Sequence, residues 1–368
     1  MRILFYQPYN QIVVYIESVA EEFVRQGHQV FFASHEEKGD THRAFESFGC
    51  ETFSLPVTKT NPVLYHLRRI RTLVRFCRQY KIDVVYSHFQ EANIVSAMAQ
   101  FFCRARFILT RHHSDCAYLD NNVKEKVADW IINCLAKQQI APSTKVLNQI
   151  VNVEGGTRSN VQLIKYGYNF SRFPRPDEAN VESIRSRFGD GFLLVKAARF
   201  IPEKRHAELI HAVGRLREMG YSFRLVLLGR GPLEEELRQK VAEKGLDDMI
   251  YFAGFQRNIQ DYYAAADIVV HFSLSEASNS AIKEAGLVRT PVAVCDDVGD
   301  FSDYVESGRN GFLLSRNNPG DDFVTLMKDV LNNRYNLIQI GNALHDDVIM
   351  HFNIKNVIAA YDSLNQTP

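Results

Sequence analysis

Apolar residues recur along this chain in two alternating rhythms. Short runs rich in Val, Ile, Leu and Phe are separated by longer stretches in which apolar positions return every three or four residues. Residues 3–6 are the first short run. From Ile12, the residues Ile16, Val19, Ala20, Phe23 and Val24 follow at helical spacing, and Gly27 ends the helix where a left-handed residue is favoured. Residues 30–33, 83–86 and 106–110 are predicted as strands with helices between them. A second series starts with a strand at 192–197, a helix at 206–219 and a strand at 223–229. It continues through strands at 251–253, 267–271 and 291–294. Strands alternating with helices need crossover connections and a parallel sheet. The pattern predicts the α/β class: two Rossmann-like, doubly wound parallel-sheet domains facing each other across a cleft, with ligands at the carboxyl ends of the strands.

Between the two series, residues 168–190 carry Pro174 and Pro176 and read as a linker. The expected division is an N-terminal domain over 1–170, a linker over 171–190, a C-terminal domain over 191–350, and a terminal helix over 351–368 free to pack back on the first domain. The 368 residues are 46% hydrophobic and 23% charged with a formal net charge of +0, so no bulk field draws in nucleic acid. The six cysteines lack C-x-x-C pairing or spacing to a His cluster, which argues against a zinc site or a disulfide framework. The N-terminal strand is followed at once by polar residues and proline, unlike a signal peptide, and no apolar run reaches the ~18 residues of a spanning helix. A cytoplasmic protein is expected.

Three constellations sit at strand-to-helix turns of the second half. Arg199 and Lys204 follow the strand at 192–197 and suit a pyrophosphate, a solvated basic turn being the competing reading. Gly229 and Gly231 follow the next strand, where glycine lets backbone approach a ligand. The third runs from Glu276, in a loop, through Ser278, Asn279, Ser280 and Ala281 to Glu284, eight residues on and inside a helix. The small residues leave the helix start open to a phosphate, and a helix carboxylate can accept two ribose hydroxyls.

The ordered set resembles the retaining glycosyltransferases of family four, which have the GT-B fold. The resemblance rests on Arg199-x4-Lys204, Gly229-x-Gly231-Pro232, Glu276-x7-Glu284, Thr290 to Val294, Asp297-Val298-Gly299 and Gly308 to Leu313. It covers residues 192–315 well and the N-terminal half in outline. It implies that Arg199 and Lys204 meet the donor phosphates, Glu284 the nucleotide ribose and Glu276 the donor sugar. Residues 278–281 would run along the phosphate and sugar, although the family carries glycine and a bulky apolar residue there. The family's first loop has paired glycines. Here it reads Gln7, Pro8, Tyr9, Asn10, Gln11, so polar and aromatic side chains are expected on the acceptor edge. His88 resembles the end of a strand near the acceptor. A histidine beside the transferring sugar is implied after residues 106–110, with His113 favoured over His112. Only one of the pair would face the sugar, since successive strand side chains alternate.

The resemblance implies transfer from a UDP- or GDP-linked sugar to a sugar, lipid-linked or small-molecule hydroxyl acceptor, as in cell-surface glycan or glycolipid synthesis. The nucleotide sugar is then a substrate, and no cofactor is implied. No D-x-D stands at a strand end, so no metal is implied either. Two rivals stay open: a sugar-nucleotide epimerase of the same architecture, and a non-catalytic binding or scaffold protein. Residues 67–78 are basic and helical in period. Leu67, Ile70, Leu73, Val74 and Cys77 form an apolar stripe, and Arg68, Arg69, Arg71, Arg75 and Arg78 the basic remainder. The plain reading is a core face under a solvated face; the other is peripheral contact with an anionic inner membrane face.

Overall fold

Runs of β-branched and aromatic residues form the strands, and the helices between them return the chain in the same direction. The computed structural model describes residues 1–58, 61–189 and 191–366. The strands of the N-terminal half are β1 (Arg2–Gln7), β2 (Gln29–Ser34), β3 (Glu51–Ser54), β4 (Val84–His88), β5 (Arg106–Thr110), β6 (Gln139–Ala141) and β7 (Val161–Leu163). Those of the C-terminal half are β8 (Leu193–Ala197), β9 (Arg224–Leu228), β10 (Ile250–Gly254), β11 (Ile268–His271), β12 (Val292–Cys295) and β13 (Phe312–Leu314). Among the described residues they pair into a seven-stranded sheet, β3-β2-β1-β4-β5-β6-β7, and a six-stranded sheet, β10-β9-β8-β11-β12-β13. The pairing is parallel, with Leu4 beside Phe31 and Val85, and Leu194 beside Leu225 and Ile268. Strand order reverses between β1 and β4, and again between β8 and β11. In open parallel sheets that reversal opens a crevice at the carboxyl ends, which is where ligands bind.

The chain divides into one unit of Met1–Phe170 with Phe352–Pro368 and a second of Ser171–His351. The first is therefore discontinuous in sequence. Its closing helix, Ile354–Gln366, buries Val357, Ile358, Tyr361 and Leu364. Tyr86 Oη donates to Asn365 Oδ1 at 2.9 Å, and Arg106 Nη1 to the Leu364 carbonyl at 2.6 Å. Thr367 and Pro368 lie outside the described residues.

Three expectations change here. Residues 171–190 are not simply a linker: Glu178–Phe188 is a helix capped by the Asp177 side chain, and Arg185 pairs with Asp267 at 2.7 Å in the second unit. Its polar sequence hides the two positions it buries, Ile184 and Phe188; Asp190 lies outside the described residues. Strands β3, β6, β7 and β13, of three or four residues, add to the expected set. In the helix Pro62–Gln79, the buried stripe holds Ile70, Leu73, Val74 and Cys77 as expected, but Leu67 is exposed and Arg69 is buried.

Candidate active site

In the second unit, β8 and β11 end side by side at the strand-order reversal. Arg199, two residues past β8, is exposed, and its guanidinium has no side-chain partner among the described residues. Lys204 ends the short turn Pro202–Lys204, and its Nζ donates to Glu276 Oε1 at 2.5 Å and to Ser273 Oγ at 3.4 Å. His271, the last residue of β11, donates from Nε2 to the same carboxylate at 2.8 Å, with the Asn279 amide 3.2 Å from that nitrogen. Burial opposes the charge on Glu276. The His271 hydrogen bond and the Lys204 charge overcome it and hold the carboxyl well below its usual range. Burial keeps His271 neutral, down to about 4, although Glu276 pulls the other way.

Asn279 precedes the helix Ser280–Leu287 and makes no side-chain cap bond, so the first amides of that helix, at Ser280 and Ala281, stay open. Its loop is pinned from below. Lys283 Nζ bonds Asp300 at 2.6 Å with both groups fully buried, and Ser278 Oγ donates to Asp300 at 2.5 Å. Gly299, at φ +55°, lies so close that a Cβ there would be 2.8 Å from the Glu276 Cβ. Glu284 stands one turn into the helix and accepts from Gln260 Nε2 at 3.0 Å. Burial pushes its carboxyl up to about 7. Among the described residues no cation pairs with it; its oxygens can accept hydroxyl donors.

The two glycines are sites of close backbone packing. A Cβ on Gly229 would stand 2.1 Å from the Ala198 carbonyl oxygen, and one on Gly231 would stand 2.4 Å from that of Phe200. Phe200 N donates to the Arg230 carbonyl at 3.0 Å across the same gap. The glycines let this loop pack backbone to backbone on the segment bearing Arg199. This packing fixes the turn from which Arg199 projects.

In the first unit, β4 and β5 end in a histidine cluster beside β1. His88 Nδ1 and His112 Nε2 share a hydrogen bond of 3.1 Å, and Tyr15 Oη lies 2.8 Å from His112 Nε2. Tyr166 stacks on Tyr15 at 3.6 Å. Burial holds His88 down to about 3 and His112 well below the usual imidazole value, so both rings are neutral. Phe89 follows His88 at φ 70° and ψ 151°, a conformation costing about 1–3 kcal/mol in a non-glycine residue. There its ring stacks on His112 at 4.2 Å. His113 has other partners: Nε2 bonds Asp129 Oδ2 at 2.9 Å, and its side chain is 20% exposed. Arg111 holds Asp129 at 2.9 Å and Glu154 at 2.7 Å, all three buried. Burial resists ionisation of Asp129, but His113 and Arg111 keep its carboxyl below the ordinary value. An imidazole fixed by a buried carboxylate keeps one orientation, which a proton-handling or charge-stabilising group needs.

The polar residues of the first loop have partners within the fold. Gln7 is buried, and its Nε2 donates to the Tyr9 carbonyl at 2.9 Å. Asn10 Oδ1 accepts from Thr41 N at 3.0 Å, at the start of the helix Asp40–Glu46. Both amides brace the loop that lacks glycine. Tyr9 alone of the three stays exposed, with Oη donating to Glu91 at 2.6 Å. His271, Asp129, Lys283 and Asp300 were missed in the sequence. Only His271 carried a signal, as a polar residue ending an apolar strand.

Two parallel sheets with polar clusters at their strand-order reversals define the class: a GT-B glycosyltransferase fold. Residues 179–344 match the family described as "Glycosyl transferases group 1", and residues 12–172 match "Glycosyltransferase Family 4". The chain belongs to these group 1, family 4 glycosyltransferases. It is 25% identical over 314 residues to the N-acetylgalactosamine-N,N'-diacetylbacillosaminyl-diphospho-undecaprenol 4-alpha-N-acetylgalactosaminyltransferase of Campylobacter jejuni, covering 83% of this chain and 80% of that one. It is 27% identical over 233 residues to the mannosylfructose-phosphate synthase of Agrobacterium fabrum, covering 60% of this chain and only 51% of that one. In fold it is similar to the crystal structure of Anabaena HepE in complex with UDP-glucose, with TM-score 0.82, 20% identity and 100% of both chains covered.

Proposed function

We propose that this glycosyltransferase retains the anomeric configuration and moves a sugar from a UDP- or GDP-linked donor to an acceptor hydroxyl. The reading is carried by the switch-point cluster of the second unit. An unpaired Arg199, a Lys204–Glu276–His271 chain and an uncapped helix start lie at the carboxyl ends of β8 and β11. Arg199, Lys204 and the amides of Ser280 and Ala281 would take the negative charge that grows on the departing diphosphate. Glu284 would accept the ribose hydroxyls. Glu276 would face the sugar, with its charge already held by His271 and Lys204. Lys204 and Arg199 would supply the positive charge that a divalent cation could otherwise give the diphosphate, so transfer is expected to persist in EDTA.

The N-terminal unit would serve the acceptor, with His113, oriented by Asp129, as the group nearest the transferring sugar. The name of the Campylobacter relative specifies a diphospho-lipid acceptor; a lipid-linked acceptor here would bring the enzyme to a membrane surface. Arg68, Arg71, Arg75 and Arg78 fit that, since they are exposed at i, i+3, i+7 and i+10 on the helix Pro62–Gln79. Phe101 and Phe102 are exposed beside its end, where Arg78 Nη2 donates to the Phe102 carbonyl at 2.7 Å. No described helix is long and apolar enough to cross a membrane.

The test is calorimetric titration with UDP, GDP and ADP, followed by hydrolysis and transfer assays with sugars of the nucleotide that binds. Binding of none of the three would overturn the donor reading. His113→Ala is expected to cut turnover strongly while nucleotide affinity stays within about threefold, ~0.7 kcal/mol. Near-normal turnover would remove His113 from the mechanism.

A further inference from the structure

The helix Pro62–Gln79 carries one arginine on the face it turns to the sheet. Arg69 is 1% exposed and lies beside Tyr6 of β1, against Tyr65, whose ring is 5.3 Å from the guanidinium. Its Nη1 reaches Glu91 Oε2 at 3.4 Å, far beyond the 2.7–2.9 Å of a good charge-assisted bond. Nε and Nη2 are buried with no hydrogen-bond partner among the described residues. These two nitrogens form one edge of the guanidinium, and their N–H bonds run parallel. That edge is the fork that matches two oxygens of a carboxylate or phosphate. A buried cation with its best donor edge unpaired is costly to the fold, so its retention calls for a ligand.

The surroundings suit an oxyanion. His66, one turn earlier on the same helix, also has a buried Nδ1 without a partner. Glu91 bridges Arg69 and the hydroxyl of Tyr9, yet its side chain is half exposed. It contacts Nη1 and leaves the free fork alone. A role for Arg69 as mere counter-ion to Glu91 would engage that fork, at a shorter distance. Tyr6 Oη donates to His35 Nε2, whose Nδ1 donates to the Leu55 carbonyl, and the Tyr6 oxygen also faces the Arg69 guanidinium, leaving room for stronger, charged acceptors on Nε and Nη2.

We propose that Arg69 is a specificity-determining residue that binds an oxyanion on the acceptor, a carboxylate or a phosphate, through Nε and Nη2. Glu91 opposes that anion: its carboxylate lies against Nη1 beside the free fork, and its negative charge repels an incoming oxyanion. This rests on the reading of the N-terminal unit as the acceptor side, and it adds that the acceptor is anionic close to the reacting hydroxyl.

The experiment is a titration of the full chain, labelled with 15N at arginine Nε, with sodium phosphate and separately with sodium acetate at fixed pH and ionic strength. The Arg69 Nε resonance is assigned by its loss in Arg69→Lys, whose fold is checked by circular dichroism. Either anion should shift this resonance saturably. Binding should tighten about threefold or more in Glu91→Gln, an exposed substitution that removes the competing carboxylate. Saturation by phosphate alone assigns a phosphorylated acceptor, and saturation by acetate alone a carboxylated one. No saturable shift with either anion, even in Glu91→Gln, overturns the proposal. Nucleoside diphosphate titrated into the same samples separates the two readings. Nucleotide binding without an Arg69 response sinks this inference only, whereas an Arg69 response without nucleotide binding sinks the donor reading only.

Discussion

Lys204 and Glu276 neutralise one another in the free protein, which gives substitutions there a double effect. Lys204→Ala removes a cation from the phosphate and also strands a buried carboxylate beside a neutral histidine. Arg199→Ala removes only an exposed, unpaired guanidinium. Each should weaken nucleoside diphosphate binding by about 1.5–3 kcal/mol, the range for hydrogen bonds to charged groups. Only Lys204→Ala should also lower the melting temperature. Calorimetry and thermal melts on the two variants read these effects separately; equal melting temperatures would mean that the Lys204–Glu276 pair adds nothing to the fold. Glu284 gives the pH dependence. Its carboxyl ionises at its ordinary 4.5 in the unfolded chain and near 7 when folded. Between those values the folded state holds the extra proton, so stability falls as pH rises through that window, and the penalty is complete above it. Glu284→Gln should therefore raise the melting temperature at pH 8, with a gain that shrinks towards pH 5. A gain that does not change with pH would show that the carboxyl is not held protonated.

At the scale of elements, each polar cluster sits where a strand ends and the chain turns into a helix. The turns after β8 and β9 are held together by backbone contacts that leave no room for a Cβ at Gly229 or Gly231. Gly229→Ala must separate the two turns. It should cost about 2 kcal/mol or more of stability, as forced overpacking does, and move Arg199 away from the phosphate. Chemical denaturation and nucleotide titration together check this: normal affinity with reduced stability would mean that the turn does not position Arg199. The turn after β4 uses a different device. Phe89 takes a backbone conformation suited to glycine, and thereby lays its ring on His112. The local strain is paired with a packed aromatic contact around two neutral histidines.

At the scale of the molecule, the first unit is completed by the last helix of the chain. Tyr168 and Asn353 are bridged, and Tyr168 N donates to the Phe352 carbonyl at 2.7 Å where the chain re-enters that unit. Ending the protein at His351 would expose the apolar surface that Tyr361 and Leu364 cover, worth about 1.5–3 kcal/mol for each large side chain. Hydrogen exchange should then quicken in β1 and β4, more than 250 residues away in sequence. Unchanged protection in those strands would show that the helix is dispensable to the sheet.

Most of the strands, the two series of crossovers, and the cations and glutamates of the second unit were legible in the sequence. Each depends on local rules: apolar spacing sets the element, and the residues after an apolar strand fall at its carboxyl end. The helix 178–188 escaped because its two buried positions are lost among charged ones. The structural partners of Gln7, Asn10, Gly229 and Gly231 were not legible because they lie 30 or more residues away, apart from the near carbonyl of Tyr9. The partners of the histidines and Glu276 belong to the same class. Asp129 lies on a helix whose facing side only the packed fold reveals, and Arg69 reads as one more solvated arginine until the sheet covers it. The sequence by itself determined which backbone forms and where its ends fall, because those depend on neighbours along the chain. Tertiary structure alone decided which polar side chains are paired, which are buried and which are left with donors unsatisfied, because desolvation and pairing depend on neighbours in space.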